Sequence, residues 1–258
     1  MSFRLKMEQT AENKKSNIIL ALDLPFEKPE NRENRENLFF KAERILEGVH
    51  PYICAVKFNR HLVLPFGTFN GVQKLVKKVH DLGLMAIMDC KINDIGSTNQ
   101  TIAEYYYATG FDALTANPFV GWEEGLKPVF DVARRLQRGV ILLVYMSHKG
   151  ASEGYGQTIC NVETGEKTPQ YMAFGKKALK WNADGVVVGA TYPKKIREVH
   201  EILGEKIPIY SPGIGVQGGA IESALKAGAR YLIVGRTITL SENPAETAKK
   251  IRDLAIQS

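Results

Sequence analysis

Short, β-branched apolar runs alternate along this chain with longer runs whose apolar residues recur every three or four positions, and the alternation repeats eight times. The short runs predict strands over Ile18–Asp23, Ile53–Phe58, Leu84–Lys91, Ala113–Asn117, Val140–Tyr145, Gly185–Gly189, Pro208–Ser211 and Tyr231–Arg236. Most are almost continuously apolar, as parallel strands buried on both faces must be. The runs between them carry helical stripes, for example Leu38, Ala42, Ile45, Leu46 and Val49, or Val72, Leu75, Val76, Val79 and Leu82. Gly83, Gly110, Gly204 and Gly228 follow such stripes, where a helix ends most easily in the left-handed conformation. Eight strand–helix units in one chain predict a (β/α)8 TIM barrel of the α/β class, with a doubly wound open sheet as the alternative. No linker divides it. The expectation is one domain over 1–258, with 1–16 a polar N-terminal extension. The Asn-Arg-Glu repetition over 31–37 reads as the start of a solvated helix, and Met146 to Pro169 as a long connection of the kind that forms lids.

Composition changes this picture little. Hydrophobic residues make up 44% and charged residues 24% of 258, which excludes a disordered or collagen-like chain. No apolar run is long enough to span a bilayer, and 1–16 lacks the apolar stretch of a signal peptide. Cys54, Cys90 and Cys160 are odd in number and lack metal-ligand spacing, so a cytoplasmic, reduced setting is expected. The net charge of +6 could suit nucleic acid, but the lysines fall in scattered pairs on helical faces rather than in a stripe, so no nucleic-acid partner is expected.

Position matters more than net charge. The strands end in polar residues: Asp23 on the first, Lys57 and Asn59 at the second, Asp89-Cys90-Lys91 on the third, Thr115 and Asn117 at the fourth, Ser147 after the fifth. In a barrel these ends meet on one face, where active sites form. Thr115 or Ser211 could be no more than a wet strand end. The charges are harder to dismiss, because Asp89 and Lys91, two apart on an apolar strand, should share a face. A buried ion pair is a poor way to stabilise a core, so a purely structural network is the weaker reading. After the seventh strand comes Ser211-Pro212-Gly213-Ile214-Gly215-Val216-Gln217-Gly218-Gly219, and after the eighth Gly235-Arg236. Glycine turns opening helices at these two places, together with an arginine fork, point to a phosphate.

From about Ile18 to Thr239 these residues resemble the orotidine 5′-monophosphate decarboxylases, and the wording of the Ser211–Gly219 loop resembles archaeal members. The resemblance rests on Asp89-Cys90-Lys91-Ile92-Asn93-Asp94 as the Asp-x-Lys-x-x-Asp signature. Leu20–Asp23, Val56-Lys57, Met146-Ser147-His148, Asp184–Thr191 and Val234–Arg236 support it, in order. It implies a cofactor-free and metal-free decarboxylation of orotidine 5′-monophosphate to uridine 5′-monophosphate. Lys91 would protonate the ring carbanion and Asp89 would oppose the substrate carboxylate, while Lys57 and Asp23 would hold ribose. Ser147 would contact the pyrimidine, with Pro212 and Gln217 along the base–phosphate loop and Gly235 and Arg236 on the phosphate. Asp94 and Thr98 would reach into the neighbouring site of a homodimer. Lys149 departs from the proline that many members carry after Met-Ser-His. Two rivals share the scaffold. Magnesium-dependent sugar-phosphate decarboxylases or synthases resemble it but would need an acidic ligand where Lys57 stands, and a nucleotide-binding regulator would have no need to keep both Asp89 and Lys91.

Overall fold

The computed structural model describes residues 1–25, 31–215 and 218–258. Its strands are β1 (Ile18–Ala21), β2 (Ala55–Phe58), β3 (Met85–Ile92), β4 (Ala113–Ala116), β5 (Gly139–Tyr145), β6 (Thr158–Cys160), β7 (Lys167–Pro169), β8 (Gly185–Val188), β9 (Ile209–Pro212) and β10 (Ala229–Val234). The α-helices are α1 (Phe3–Lys14), α2 (Arg32–Val49), α3 (Arg60–Phe66), α4 (Gln73–Asp81), α5 (Gly96–Thr109), α6 (Lys127–Arg135), α7 (Ala151–Gly154), α8 (Gln170–Trp181), α9 (Pro193–Leu203), α10 (Gly218–Lys226), α11 (Arg236–Thr239) and α12 (Pro244–Gln257). Among the described residues, eight strands close a barrel in the order β1-β10-β9-β8-β5-β4-β3-β2, every neighbouring pair parallel. The open-sheet alternative is thereby excluded.

Two apolar layers hold the barrel. Outward-facing residues such as Leu20, Val56, Leu114, Leu142 and Val234 pack under the helices. Inward-facing ones such as Ile19, Ile87, Ile141, Tyr210 and Ile233 fill the centre. Each predicted helical stripe is buried as expected: Leu38, Ala42, Ile45, Leu46 and Val49 on α2, and Leu75, Val76 and Val79 on α4. Asn31 starts α2 by accepting from the backbone N–H of Glu33 at 2.9 Å, so the Asn-Arg-Glu repetition is the opening of a solvated helix.

Two expectations need correcting. The N-terminal segment is not merely a polar extension. Ser2 caps α1, and Phe3 and Met7 enter the inner layer from the barrel's N-terminal end. The Phe3 ring occupies the space beside Gly139, where a Cβ would come within 2.3 Å of its Cδ1. Arg4 ties the helix down through Asn182 Oδ1 at 2.9 Å and the Lys206 carbonyl. Two buried residues in a mostly polar dozen, with Leu5 left exposed, give too weak a stripe to announce a helix. The second correction concerns Met146–Pro169, which is folded rather than a bare loop. It contains α7 and the antiparallel hairpin β6–β7, which turns at Asn161–Gly165. Tyr155 docks it with its ring 6.1 Å from both Tyr145 and Phe174.

Because Phe3 is 1% exposed, Phe3→Ala should lower the unfolding free energy by about 3–5 kcal/mol. Denaturant titration checks this, and an unmoved midpoint would mean that α1 merely rests on the barrel.

Candidate active site

Four charged side chains stand in alternation at the C-terminal mouth of the barrel. Asp23 lies just beyond β1, Lys57 on β2, and Asp89 and Lys91 on β3. Lys57 Nζ sits 2.7 Å from Asp89 Oδ2 and 3.8 Å from Asp23 Oδ2, and Lys91 Nζ sits 2.8 Å from Asp89 Oδ1. Lys57 is 7% exposed, so its charge could not stay there without these carboxylates. Burial alone would push the Asp89 carboxyl up, but the two ammonium groups beside it outweigh that and hold it down to about 2. The carboxylate is therefore ionised throughout the neutral range. Asp23 is only half satisfied: its buried Oδ1 has no hydrogen-bond partner among the described residues. A buried carboxylate oxygen left free in this way is poised for a donor from a ligand.

These groups line a cavity of about 240 Å³ whose other walls include Ser147, Pro212 and apolar side chains such as Ile141 and Val187. Asn59, Asp89 and Lys91 also line an outer vestibule of about 630 Å³ that contains Arg60 and His61. Charges face charges at one wall, and the opposite wall offers a ring an apolar surface. Ser147 reaches the cavity because Gly189 makes room; a Cβ on Gly189 would lie 2.6 Å from the Ser147 Cα.

Of the residues predicted from sequence, Asp23, Lys57, Asp89, Lys91, Ser147 and Pro212 thus share one cavity. Gly235 and Arg236 do not line it; they open α11 beyond β10, where Arg236 is exposed. Gln217 lies outside the described residues. Asp94 and Thr98 do not line this cavity and are exposed, Asp94 at the β3–α5 turn and Thr98 in the first turn of α5, with Asp94 bordering a separate groove of about 330 Å³ with Lys91 and Tyr105. The turn is rigidly held. Buried Asn99 accepts from the Asp94 backbone N–H at 3.0 Å and donates to the carbonyls of Asp94 and Gly125.

Sequence reasoning did not single out Asn99, and it passed over two residues it had noticed only as strand-end polars. Asn59 Oδ1 accepts from the His61 backbone N–H at 2.7 Å, capping α3 at the cavity rim. Thr115 touches every residue of the Asp89-Cys90-Lys91 segment. The signal available for both was no more than a polar side chain at the end of an apolar strand.

The sequence model of the family described as "Orotidine 5'-phosphate decarboxylase / HUMPS family" matches residues 16–251. An orotidine 5'-phosphate decarboxylase from Pyrococcus furiosus is 36% identical over 91% of this chain and 95% of its own length. A crystal structure of orotidine 5'-monophosphate decarboxylase from Methanocaldococcus jannaschii, complexed with the inhibitor BMP, superposes with a TM-score of 0.75 at 32% identity. It covers 92% of this chain and 97% of that one. The OMP decarboxylase of Leishmania donovani superposes with a TM-score of 0.83 over 100% of this chain and 98% of its own, at 23% identity, which bears on the fold alone.

Proposed function

The chain belongs to the orotidine 5'-phosphate decarboxylase / HUMPS family, and we propose that it converts orotidine 5′-monophosphate to uridine 5′-monophosphate and carbon dioxide, in pyrimidine nucleotide synthesis. The observation that carries this reading is the Asp23–Lys57–Asp89–Lys91 array at the mouth of an otherwise apolar cavity. Heterolysis of the bond to the carboxylate releases carbon dioxide and leaves the electron pair on a ring carbon. That pair lies in the ring plane, where the π system cannot delocalise it. The Lys91 ammonium stabilises the developing charge and delivers its proton to that carbon; the resulting amine regains a proton from water. The stabilisation appears only as the reaction proceeds, which is the condition for accelerating it. Asp89, ionised beside the substrate carboxylate, favours its departure. Two unit charges 4 Å apart interact by about 4 kcal/mol at an effective dielectric of 20. The largest ordinary enzymatic accelerations correspond to about 23 kcal/mol, so neither contact suffices alone. Binding of the distant phosphate by Gly235 and Arg236 supplies energy to hold the ring against the array.

Lys57 and Asp23 hold the ribose hydroxyls, which gives the free Asp23 oxygen its donor. Ser147 contacts the base, and Pro212 lies between base and phosphate. The site is shared within a homodimer, Asp94 and Thr98 entering the partner's cavity. Around them Leu64, Phe69, Ile95 and Tyr105 are exposed apolar side chains on α3, α5 and the turns beside them, a surface suited to burial against a second copy. Among the described residues no helix is long and apolar enough to cross a membrane. All three cysteines are free thiols, as in a reducing cytoplasm.

The magnesium-dependent branch of the family is the other reading, and Lys57 weighs against it. Asp89 already faces two ammonium groups and Asp23 faces Lys57, so a divalent cation bridging the two carboxylates would have to displace Lys57. The test is loss of orotidine 5′-monophosphate, followed by ultraviolet absorbance. The expected result is full activity in excess chelator and no gain with magnesium. No substrate loss under either condition would refute the assignment.

A further inference from the structure

The β3–β4 ladder is irregular at the catalytic segment. Met88 pairs with Leu114 and Ile92 with Ala116, so Asp89, Cys90 and Lys91 together face the single residue Thr115. Such a bulge takes backbone groups out of the ladder and redirects side chains. Lys91 adopts φ +50°, a left-handed conformation that costs free energy for any residue with a Cβ. Something must hold it there, and Thr115 meets all three facing residues. Its Oγ1 accepts from the Lys91 backbone N–H at 2.9 Å and donates to Asp89 Oδ1 at 2.9 Å, while its carbonyl accepts from Cys90 Sγ at 3.4 Å. Thr115 is 2% exposed, so water does not compete for these bonds.

We infer that Thr115 is the positioning residue of the site: one hydroxyl fixes the Lys91 backbone in its strained conformation and the Asp89 carboxylate in its rotamer, and so sets where the ammonium meets the ring carbon. The inference rests on the decarboxylase reading and adds a residue of the cavity wall that acts through Asp89 and Lys91. Without the hydroxyl, the Lys91 N–H and one Asp89 lone pair lose their partner, and the bulge can relax toward a commoner backbone. Lys57 also faces Asp23, which Thr115 does not touch, so the groups that hold ribose stay in place.

Thr115→Val keeps the side chain's shape and removes the hydroxyl; Thr115→Ser keeps the hydroxyl and removes a methyl. The expected result for Thr115→Val is a fall in kcat of about 10²-fold, the usual consequence of misplacing a catalytic group by about 1 Å. KM and the affinity for uridine 5′-monophosphate should stay within about threefold, because the binding contacts are made elsewhere. Thr115→Ser should restore most of kcat, and a crystal structure of Thr115→Val should show Lys91 away from φ +50°. An unchanged kcat in Thr115→Val, or equal impairment in both variants, overturns the inference while leaving the decarboxylase reading intact. An inactive wild type overturns that reading instead, and the Lys91 conformation in Thr115→Val still tests the positioning role.

Discussion

Lys91→Ala should reduce decarboxylation by about 10⁴-fold or more, with the barrel still folded and still binding uridine 5′-monophosphate. Two contributions vanish together: proton delivery, worth about 10²–10⁴-fold, and charge stabilisation of the carbanion, worth about 10²–10³-fold. No neighbour can substitute. Lys57, the other ammonium of the array, is held at 2.7 Å by Asp89 and at 3.8 Å by Asp23. The fold should tolerate the change because Asp89 keeps its bond to Lys57, and the Lys91 side chain is 33% exposed. Ultraviolet assays at high enzyme concentration give the residual rate, and a thermal melt and nucleotide titration serve as controls. A loss of less than about tenfold would mean that the proton comes from another group and that the mechanism is wrong.

Asp89 and Lys91 also show how far a sequence can be read. Their common direction was expected from strand alternation, and the expectation holds, but the cause differs. The segment is a bulge with Lys91 at φ +50°, not a regular ladder. Alternation is a local property; a register shift depends on what the neighbouring strand offers, here a single Thr115. The barrel itself was legible because eight buried strands and eight helical stripes each declare themselves within a dozen residues. Helix α1 was not, since its two buried residues, Phe3 and Met7, matter only when a barrel end is there to receive them. Hairpin β6–β7 was readable in part: Asn161-Val162-Glu163-Thr164-Gly165 is a turn composition between short strand-forming runs. The site's charged residues were legible as strand ends. Asn59, Asn99 and Thr115 were not, because each works by holding another residue, and such a partner is fixed only by three-dimensional contact.

Shared sites make the strongest claim about assembly, and subunit mixing puts it to a decisive measurement. Lys91→Ala and Asp94→Ala should each be nearly inactive alone, yet a mixture exchanged by refolding or made by co-expression should recover about a quarter of wild-type activity. The figure follows from the proposed two-fold dimer. With random pairing about half the dimers are mixed, and each mixed dimer has one site with both Lys91 and the neighbour's Asp94 intact. The recovery must start from a folded Asp94→Ala subunit. That is expected because Asn99 holds the turn through backbone groups, whereas among the described residues the Asp94 side chain accepts only from the adjacent Ile95 N–H at 2.7 Å. If Asp94 served its own cavity instead, a mixed dimer would hold one site lacking Lys91 and one lacking Asp94, and activity would stay at the sum of the two variants. The exposed position of Asp94, outside the 240 Å³ cavity that holds the charged array, favours recovery. Introducing a charge on the apolar surface, as in Phe69→Glu, should abolish it by keeping the subunits apart.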